Sequence, residues 1–300
     1  MENILQIPSD IPSSGRHHHH SHQSTPTRSR HMNHTIDNRR SPTLSKAKPA
    51  LIGYKFGRII GQGGYGKVYE CTRISSRNKK GAKPYMRAKK VAIKVISVEK
   101  IVRKDIRKRV VKEVEVHLCC DHDNIVKLID YEEDRHYVYM VMEYCGGGDL
   151  YKMFRDKQAN GFSEFHAAKL ISQLASGIAY LHSNNTMHRD LKLSNLLLTE
   201  HGDLKIGDFG LAVLLESPSD EHYTMCGTPN YIAPEVASVS KKQHGMPIDL
   251  WAIGVVLYSL IVGRLPFKSD TSSGTLDKVR MLDYKIPNKV SPLARDLIQK

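Results

Sequence analysis

The chain has 300 residues, 40% of them hydrophobic, and a formal net charge of +14. That supports one large or two modest globular domains, while no apolar run approaches the ~20 residues that a membrane-spanning helix needs. The start, MENILQIPSDIPSSG, lacks the basic-then-apolar order of a secretory signal, and the five cysteines, Cys71, Cys119, Cys120, Cys145 and Cys226, contain no CxxC pair; reduced thiols in the cytoplasm are expected, not a disulfide framework or a zinc site.

Residues 1–50 are rich in Ser, Pro, Thr, His and Arg and poor in large apolar side chains, the composition of a disordered tail. His17 to His20 lie there, with no fold to fix a metal geometry. From Tyr54 the texture changes to β-type runs, YKFGRIIG, GKVYECTRI and KVAIKVIS, which predict a meander whose second turn is lengthened by a lysine-rich insertion over 75–90. VRKDIRKRVVKEVEVHLCC follows, with Ile106, Val110, Val114 and Leu118 at helical spacing and one very basic flank. IVKLIDYEED and HYVYMVMEY predict two more strands before GGGDL breaks the pattern.

Residues 71–112 hold sixteen Lys or Arg against Glu99 and Asp105, a surplus as large as that of the whole chain. With no zinc-finger spacing, basic zipper or aromatic RNA-binding motif to present it, this charge argues against a specific nucleic-acid partner. The basic helix reads either as a solvated face or as a surface for acidic or phosphorylated partners.

The second half turns helical. Ser163 is the expected N-cap of EFHAAKLISQLASGIAYLHS, with Phe165, Ala168, Ile171, Ala175, Ile178 and Leu181 as its buried stripe. LLLTEHGDLKIGDFG reads as a hairpin ending at Asp208, and PIDLWAIGVVLYSLIVG, apolar nearly all round, belongs in a core. Strands first and helices afterwards imply two lobes and not a βαβ sheet: 54–143 and 144–300, with a hinge near Glu143 to Gly148.

Three stretches carry chemistry. GQGGYGKV places Gly61, Gly63 and Gly66 in G-x-G-x-x-G-x-V spacing ahead of Val68, so that backbone amides can approach phosphate oxygens; a dinucleotide site would have this loop open a helix, whereas strand-like VYECTRI follows. VAIK sets Lys94 on an apolar strand, where an unpaired ammonium is costly; Glu113, flanked by core-facing Val110 and Val114, is the best partner. HRDLKLSN crowds Asp190, Lys192 and Asn195 beside the apolar LLL. A loop braced by the hairpin can hold that polar set at a cleft while its apolar neighbours anchor it.

HRDLKLSN, DFG at Asp208 to Gly210 and APE at Ala233 to Glu235, together with the glycine loop and VAIK, resemble the eukaryotic protein kinase signatures in order and spacing over residues 54–300. The resemblance implies an α+β, bilobal kinase fold: a small N-terminal antiparallel sheet with one regulatory helix, and a larger, mainly helical C-terminal lobe. That lobe is expected to be incomplete, because the chain stops at Lys300 inside a predicted helix, before the arginine that pairs with Glu235 in the family. It further implies ATP and Mg²⁺ as cofactors, with Lys94 on the α- and β-phosphates and paired by Glu113, Asp208 and Asn195 as metal ligands, Asp190 on the substrate hydroxyl and Lys192 on the transferred group. Adenine would lie between Val68 and Ala92 above and Leu197 below, with Met142 as gatekeeper, hinge contacts from Glu143 and Cys145, and Asp149 at the ribose.

Lys192 and GTPNYIAPE match the serine/threonine pattern, with Thr228 at the substrate-docking end. Thr224 is where related kinases carry an activating phosphate, which would pair with Arg189 and with the basic flank near Arg103 or Arg107. His117, Leu128, His188 and Phe209 correspond to the family's internal spine, His117 being expected packed and neutral. Further texture, including EHYTMCGTPNYIAPE and LIVGRLPFKSDTSSGTLDKVRMLDYKIP, looks like the Polo-like kinases of the Polo-like kinase 4, or Sak, type, although Gly66 stands where that type is expected to have alanine. By resemblance the role is centriole or basal-body duplication, or cell division, acting on protein Ser/Thr. The rival readings are a catalytically silent kinase-fold scaffold, another cell-cycle or calmodulin-like Ser/Thr kinase, and a basic nucleic-acid binder.

Overall fold

β-branched and aromatic residues alternating with polar ones between Tyr54 and Glu143 form a single antiparallel sheet. The computed structural model describes residues 48–64, 66–74, 89–101, 104–156, 161–217, 226–238 and 244–300. The tail apart from its last three residues, residues 75–88 of the expected 75–90 insertion, Arg103 and Thr224 lie outside the described residues, while Lys90 at the end of that stretch already opens a strand. β1 (Tyr54–Gln62), β2 (Gly66–Arg73), β3 (Lys90–Ser97), β4 (Leu128–Glu133) and β5 (Tyr137–Glu143) order as β1-β2-β3-β5-β4.

α1 (Val98–Ile101) and α2 (Lys104–Leu118) cross between β3 and β4. The expected stripe of α2, with Val110 and Val114 fully inside and Ile106 and Leu118 partly so, packs on Ile96, Leu128, Val138 and Met140. Leu51, Tyr54 and Phe56 cover Cys71, Val91, Ile93 and Tyr139 in a second cluster. The strand expected from Ile125 begins only at Leu128. Asn124 to Val126 instead bond to the strand Leu204–Ile206 in the following half of the chain, Val126 N–H donating to the Ile206 carbonyl at 2.8 Å and Ile206 N–H to that of Asn124 at 2.8 Å, so their backbone groups are taken up before β4 can begin.

The remainder carries β6 (Gly148–Asp149), α3 (Leu150–Asp156), α4 (Glu164–Ser183), β7 (Thr186–Met187), β8 (Leu196–Leu198), β9 (Leu204–Ile206), β10 (Val213–Leu214), α5 (Pro234–Ala237), α6 (Pro247–Val262), α7 (Ser272–Arg280) and α8 (Pro292–Gln299). Ser163 caps α4 as expected, its Oγ accepting from His166 N–H. The buried face of α4 is Ala167, Leu170, Ile171, Leu174, Gly177, Ile178 and Leu181, so the expected stripe was rotated: Phe165, Ala168 and Ala175 are exposed, Phe165 by 87%. Ile171, Ile178 and Leu181 fit either stripe; the leucines at 170 and 174 remove more apolar surface from water than the alanines at 168 and 175, and they decide the rotation.

α6 is buried on nearly every side, as its composition requires, and packs with α4 in the larger core. Its one acidic residue, Asp249, is 1% exposed. Among the described residues no helix is long and apolar enough to cross a membrane.

Candidate active site

The β1–β2 hairpin presents bare backbone. Gln62 stands opposite Lys67, Gly63 N–H donates to the Gly66 carbonyl at 2.9 Å, and a Cβ at Gly63 or Gly64 would meet nothing within 4 Å. Gly66 is different: a Cβ there would run into the Val95 carbonyl. Val68 pairs with Lys94 and Ala92 with Met142, so Val68, Ala92 and Lys94 share one face of the sheet, two residues apart along β3. Lys94 Nζ lies 2.5 Å from Glu113 Oε1 and 3.5 Å from Asp208 Oδ1. Burial alone would pull the Lys94 pKa down, but the carboxylates of Glu113 and Asp208 outweigh it and hold it above the ordinary lysine value.

At the end of β5, Glu143 Oε1 accepts Lys127 N–H at 2.6 Å and pairs with Lys205 Nζ at 2.8 Å. Burial pushes the Cys145 thiol up to about 12, so it stays protonated at neutral pH. Asp149 caps α3, its carboxylate accepting Lys152 N–H at 2.9 Å and pairing with Lys152 Nζ at 3.1 Å. Leu197, opposite Asp149 in the β6–β8 pair, is half-buried between buried Leu196 and Leu198 and therefore faces the other way from them.

The β8–β9 register, Leu196 opposite Ile206, sets the residues just outside that hairpin side by side. Gly207 N–H donates to the Asn195 carbonyl at 2.8 Å, so Asn195 and Asp208 leave neighbouring backbones. Asp208 adopts φ 63° and Arg189 φ 65°, left-handed conformations that non-glycine residues rarely take and that cluster at functional sites. Partial burial raises the Asp208 pKa, yet Lys94, His188 and Lys192 more than reverse this and keep the carboxylate ionised.

Asp190 sits at a junction. Its Oδ2 accepts Lys192 Nζ at 2.6 Å and Asn195 Nδ2 at 3.2 Å, its carbonyl accepts Asn195 Nδ2 at 2.8 Å, and its Oδ1 accepts the Thr228 hydroxyl at 2.9 Å. Lys192 Nζ also reaches Thr228 Oγ1 at 3.1 Å. Beneath, Asp249 accepts the backbone N–H groups of His188 and Arg189, each at 2.9 Å, and contacts His182 Nε2 at 3.0 Å. Arg189 Nε donates to the Leu211 carbonyl at 2.7 Å.

Phe209 stacks on His117 with ring centroids 4.5 Å apart and meets His188 edge-on at 5.3 Å. Leu128 is buried in the α2 cluster. Burial drives the His117 pKa down to about 4, so the ring is neutral at physiological pH, with Nε2 against the Val126 carbonyl at 2.5 Å.

The donor set fits nucleotide and a hard divalent cation. The Asn195 amide donates to Asp190 through Nδ2 in both of these hydrogen bonds, so its Oδ1 is the atom that could meet a cation beside the ionised Asp208. Among the described residues no group of three or more His, Cys, Asp or Glu could hold a metal ion; a two-ligand site suits an ion that completes its shell with water and phosphate oxygens. The structure thus brings together Lys94, Glu113, Asp190, Lys192, Asn195, Asp208 and Thr228. Asp249, Lys205 and Tyr144 were missed by sequence reasoning. The signal for Asp249 was available, a single acid inside PIDLWAIGVVLYSLIVG; the other two have none in local sequence.

The model of the protein kinase domain matches residues 54–300. Serine/threonine-protein kinase PLK4 of Drosophila virilis is 42% identical over 247 residues, 82% of this chain and 30% of that protein. The PLK4 proteins of Drosophila grimshawi and Drosophila melanogaster are 42% and 41% identical over 247 residues, again 82% of this chain, and 31% and 30% of their own lengths. The chain thus spans under a third of the length of these curated relatives.

Proposed function

Because the chain belongs to the protein kinase family and its kinase domain is of the Polo-like PLK4 type, we propose that it is an ATP-dependent serine/threonine kinase that phosphorylates protein substrates. The carrying observation is that Lys94, bound to Glu113, contacts Asp208, whose neighbouring strand delivers Asn195 and the Asp190–Lys192–Thr228 junction. We assign the smaller lobe to 54–143 and the larger to 144–300, the tail to 1–50 and the insertion to 75–90.

When bound, ATP with magnesium supplies the phosphoryl group and much of the charge neutralisation. The backbone of Gly61, Gly63 and Gly66 and the ammonium of Lys94 hold the phosphates, and Glu113 keeps that ammonium in place. Val68, Ala92, Met142 and Leu197 enclose the base, the backbone of Glu143 and Cys145 reads its edge, and Asp149 shares its carboxylate between Lys152 and the ribose. Asn195 and Asp208 hold the metal.

Asp190 orients the substrate hydroxyl and takes its proton as the oxygen bonds to the γ-phosphorus and the bond to the departing ADP breaks. Lys192 balances charge on the transferred group. Thr228, hydrogen-bonded to both, shapes the docking end for serine or threonine. Phosphorylation of Thr224 would give Arg189 an anionic partner. A role in centriole or basal-body duplication rests on likeness to the Polo-like kinase 4 type alone, and a cytoplasmic location on the cysteine usage; acidic or phosphorylated partners rest on the basic flank of α2.

The test is transfer of labelled phosphate from ATP to a generic protein substrate by the chain, with Asp190→Asn and Asp208→Ala alongside. Each variant is expected to lose at least about 100-fold in rate. Transfer undiminished in both refutes the assignment, and no transfer by the parent favours the silent scaffold.

A further inference from the structure

Two consecutive hinge residues are tied to opposite lobes. Glu143 reaches the larger lobe through Lys205 on β9. Tyr144 turns the other way: its hydroxyl donates to Glu70 Oε2 on β2 at 3.3 Å, and Lys90 Nζ of β3 stands 5.3 Å from its ring centroid. Glu70 is itself fixed, by Lys90 at 2.5 Å on Oε1 and Arg58 at 3.0 Å on Oε2. The hydrogen bonds from Lys90 and Arg58 hold its carboxyl below the usual range, so the acceptor is ionised at neutral pH. Glu70 stands opposite Ala92, and Ala92 opposite Met142, so the acceptor belongs to the row of the sheet that roofs the cleft.

We propose that Tyr144 is a positioning residue for the nucleotide: its bond to the Lys90- and Arg58-anchored Glu70 fixes the hinge peptide under the roof formed by Val68 and Ala92. The inference rests on the reading of the cleft as an ATP site. In that reading the backbone of Glu143 and Cys145 has to meet the purine edge at hydrogen-bond distance, and Tyr144 is the residue between them. A Cβ at Gly146 would lie 3.5 Å from the Tyr144 ring, so the ring also covers the turn that follows. With one hinge residue drawn to each lobe, the peptide between them has little freedom to rise or sink. At 3.3 Å the bond is long for a hydroxyl donor, but its acceptor is a fixed, charged carboxylate, and its loss lets the peptide drift. The base then binds less well, while the phosphates, held by Lys94 and the glycine turn, are unaffected.

The experiment uses the 300-residue chain with Tyr144→Phe, which keeps the ring and its contact with Lys90 but removes the hydroxyl, with Glu70→Gln, and with both together. KM for ATP and kcat are measured on a generic protein substrate, and equilibrium binding on a fluorescent ADP analogue and on magnesium tripolyphosphate, which carries no base. Tyr144→Phe is expected to raise KM for ATP and weaken the ADP analogue about 3- to 10-fold, with kcat and tripolyphosphate affinity within about twofold. Because both residues serve one contact, the double variant should be no worse than the weaker single variant. Unchanged ADP affinity in Tyr144→Phe overturns the inference, as does an equal loss for tripolyphosphate, which would mark a general disturbance. A Lys94→Met control separates the two readings. If the parent transfers phosphate, Lys94→Met does not, and Tyr144→Phe matches the parent, only the role of Tyr144 falls; a parent that binds no nucleotide overturns both.

Discussion

Asp249 and His188 meet inside the larger lobe: the carboxylate on α6 accepts the backbone N–H of His188 at 2.9 Å, and that of Arg189 at the same distance. A charge at 1% exposure in the most apolar helix is costly unless its oxygens are filled, and here they are filled by the two amides that begin the loop leading to Asp190. Helix and loop are therefore coupled, and the left-handed backbone of Arg189 is held by a partner sixty residues away.

Asp249→Ala should leave those amides buried without acceptors, a penalty on the order of 1–3 kcal/mol for each. Urea unfolding should show a loss of at least about 3 kcal/mol, while Asp249→Asn, which keeps one acceptor oxygen, should lose less. Equal stability of Asp249→Ala and the parent would mean that the loop does not depend on this anchor.

Glu113→Gln keeps the shape of the side chain and removes the charge that Lys94 meets at 2.5 Å. Lys94 would then be drawn to Asp208, now 3.5 Å away, at the expense of both phosphate binding and the carboxylate expected to hold the metal. A fall of about 10- to 100-fold in kcat/KM for ATP is expected, with the thermal midpoint nearly unchanged because Asp208 still neutralises the ammonium. A variant with full activity would show that the ion pair is not needed to place Lys94.

Most of this was legible from residues whose surroundings are local. The strands of the small sheet, the stripe of α2 and the cap at Ser163 follow from periodicity and from one hydroxyl, and VAIK announced a lysine in need of an anion. The α4 stripe was misplaced because alanines at 168 and 175 mimic one face as well as leucines at 170 and 174 make the other; packing against α6 and β9 decides, and that is tertiary. For the same reason the contacts of Tyr144 with Glu70, and of Glu143 with Lys205, were invisible: each spans more than sixty residues and joins strands of ordinary composition.

Gly66 stands where the Polo-like kinase 4 type is expected to have alanine. A Cβ at this position would press on the Val95 carbonyl and lie 3.1 Å from Ile96 Cγ1, so β2 and β3 would have to part locally. Gly66→Ala should cost about 1–3 kcal/mol as an overpacking change, read as a lowered thermal midpoint. An unchanged or raised midpoint would mean that the strands yield without strain and that the lower backbone entropy of alanine wins.

The stack of His117 on Phe209 makes stability depend on pH. Burial lowers the His117 pKa to about 4, and the groups whose charges also bear on it are Lys94, Asp208 and His188. Above the unfolded value of 6.5 the ring is neutral in both states and the packing is fully present. Below 6.5 the unfolded chain takes up a proton that the native ring refuses, so stability falls with pH until the native ring titrates near 4. Between pH 6.5 and 5 this single group should remove about 1.5 kcal/mol. His117→Leu cannot take up that proton in either state. It should therefore lose correspondingly less stability over the same range in urea titrations at the two pH values; a parent and variant with parallel pH dependence would place the native pKa of His117 near its unfolded one.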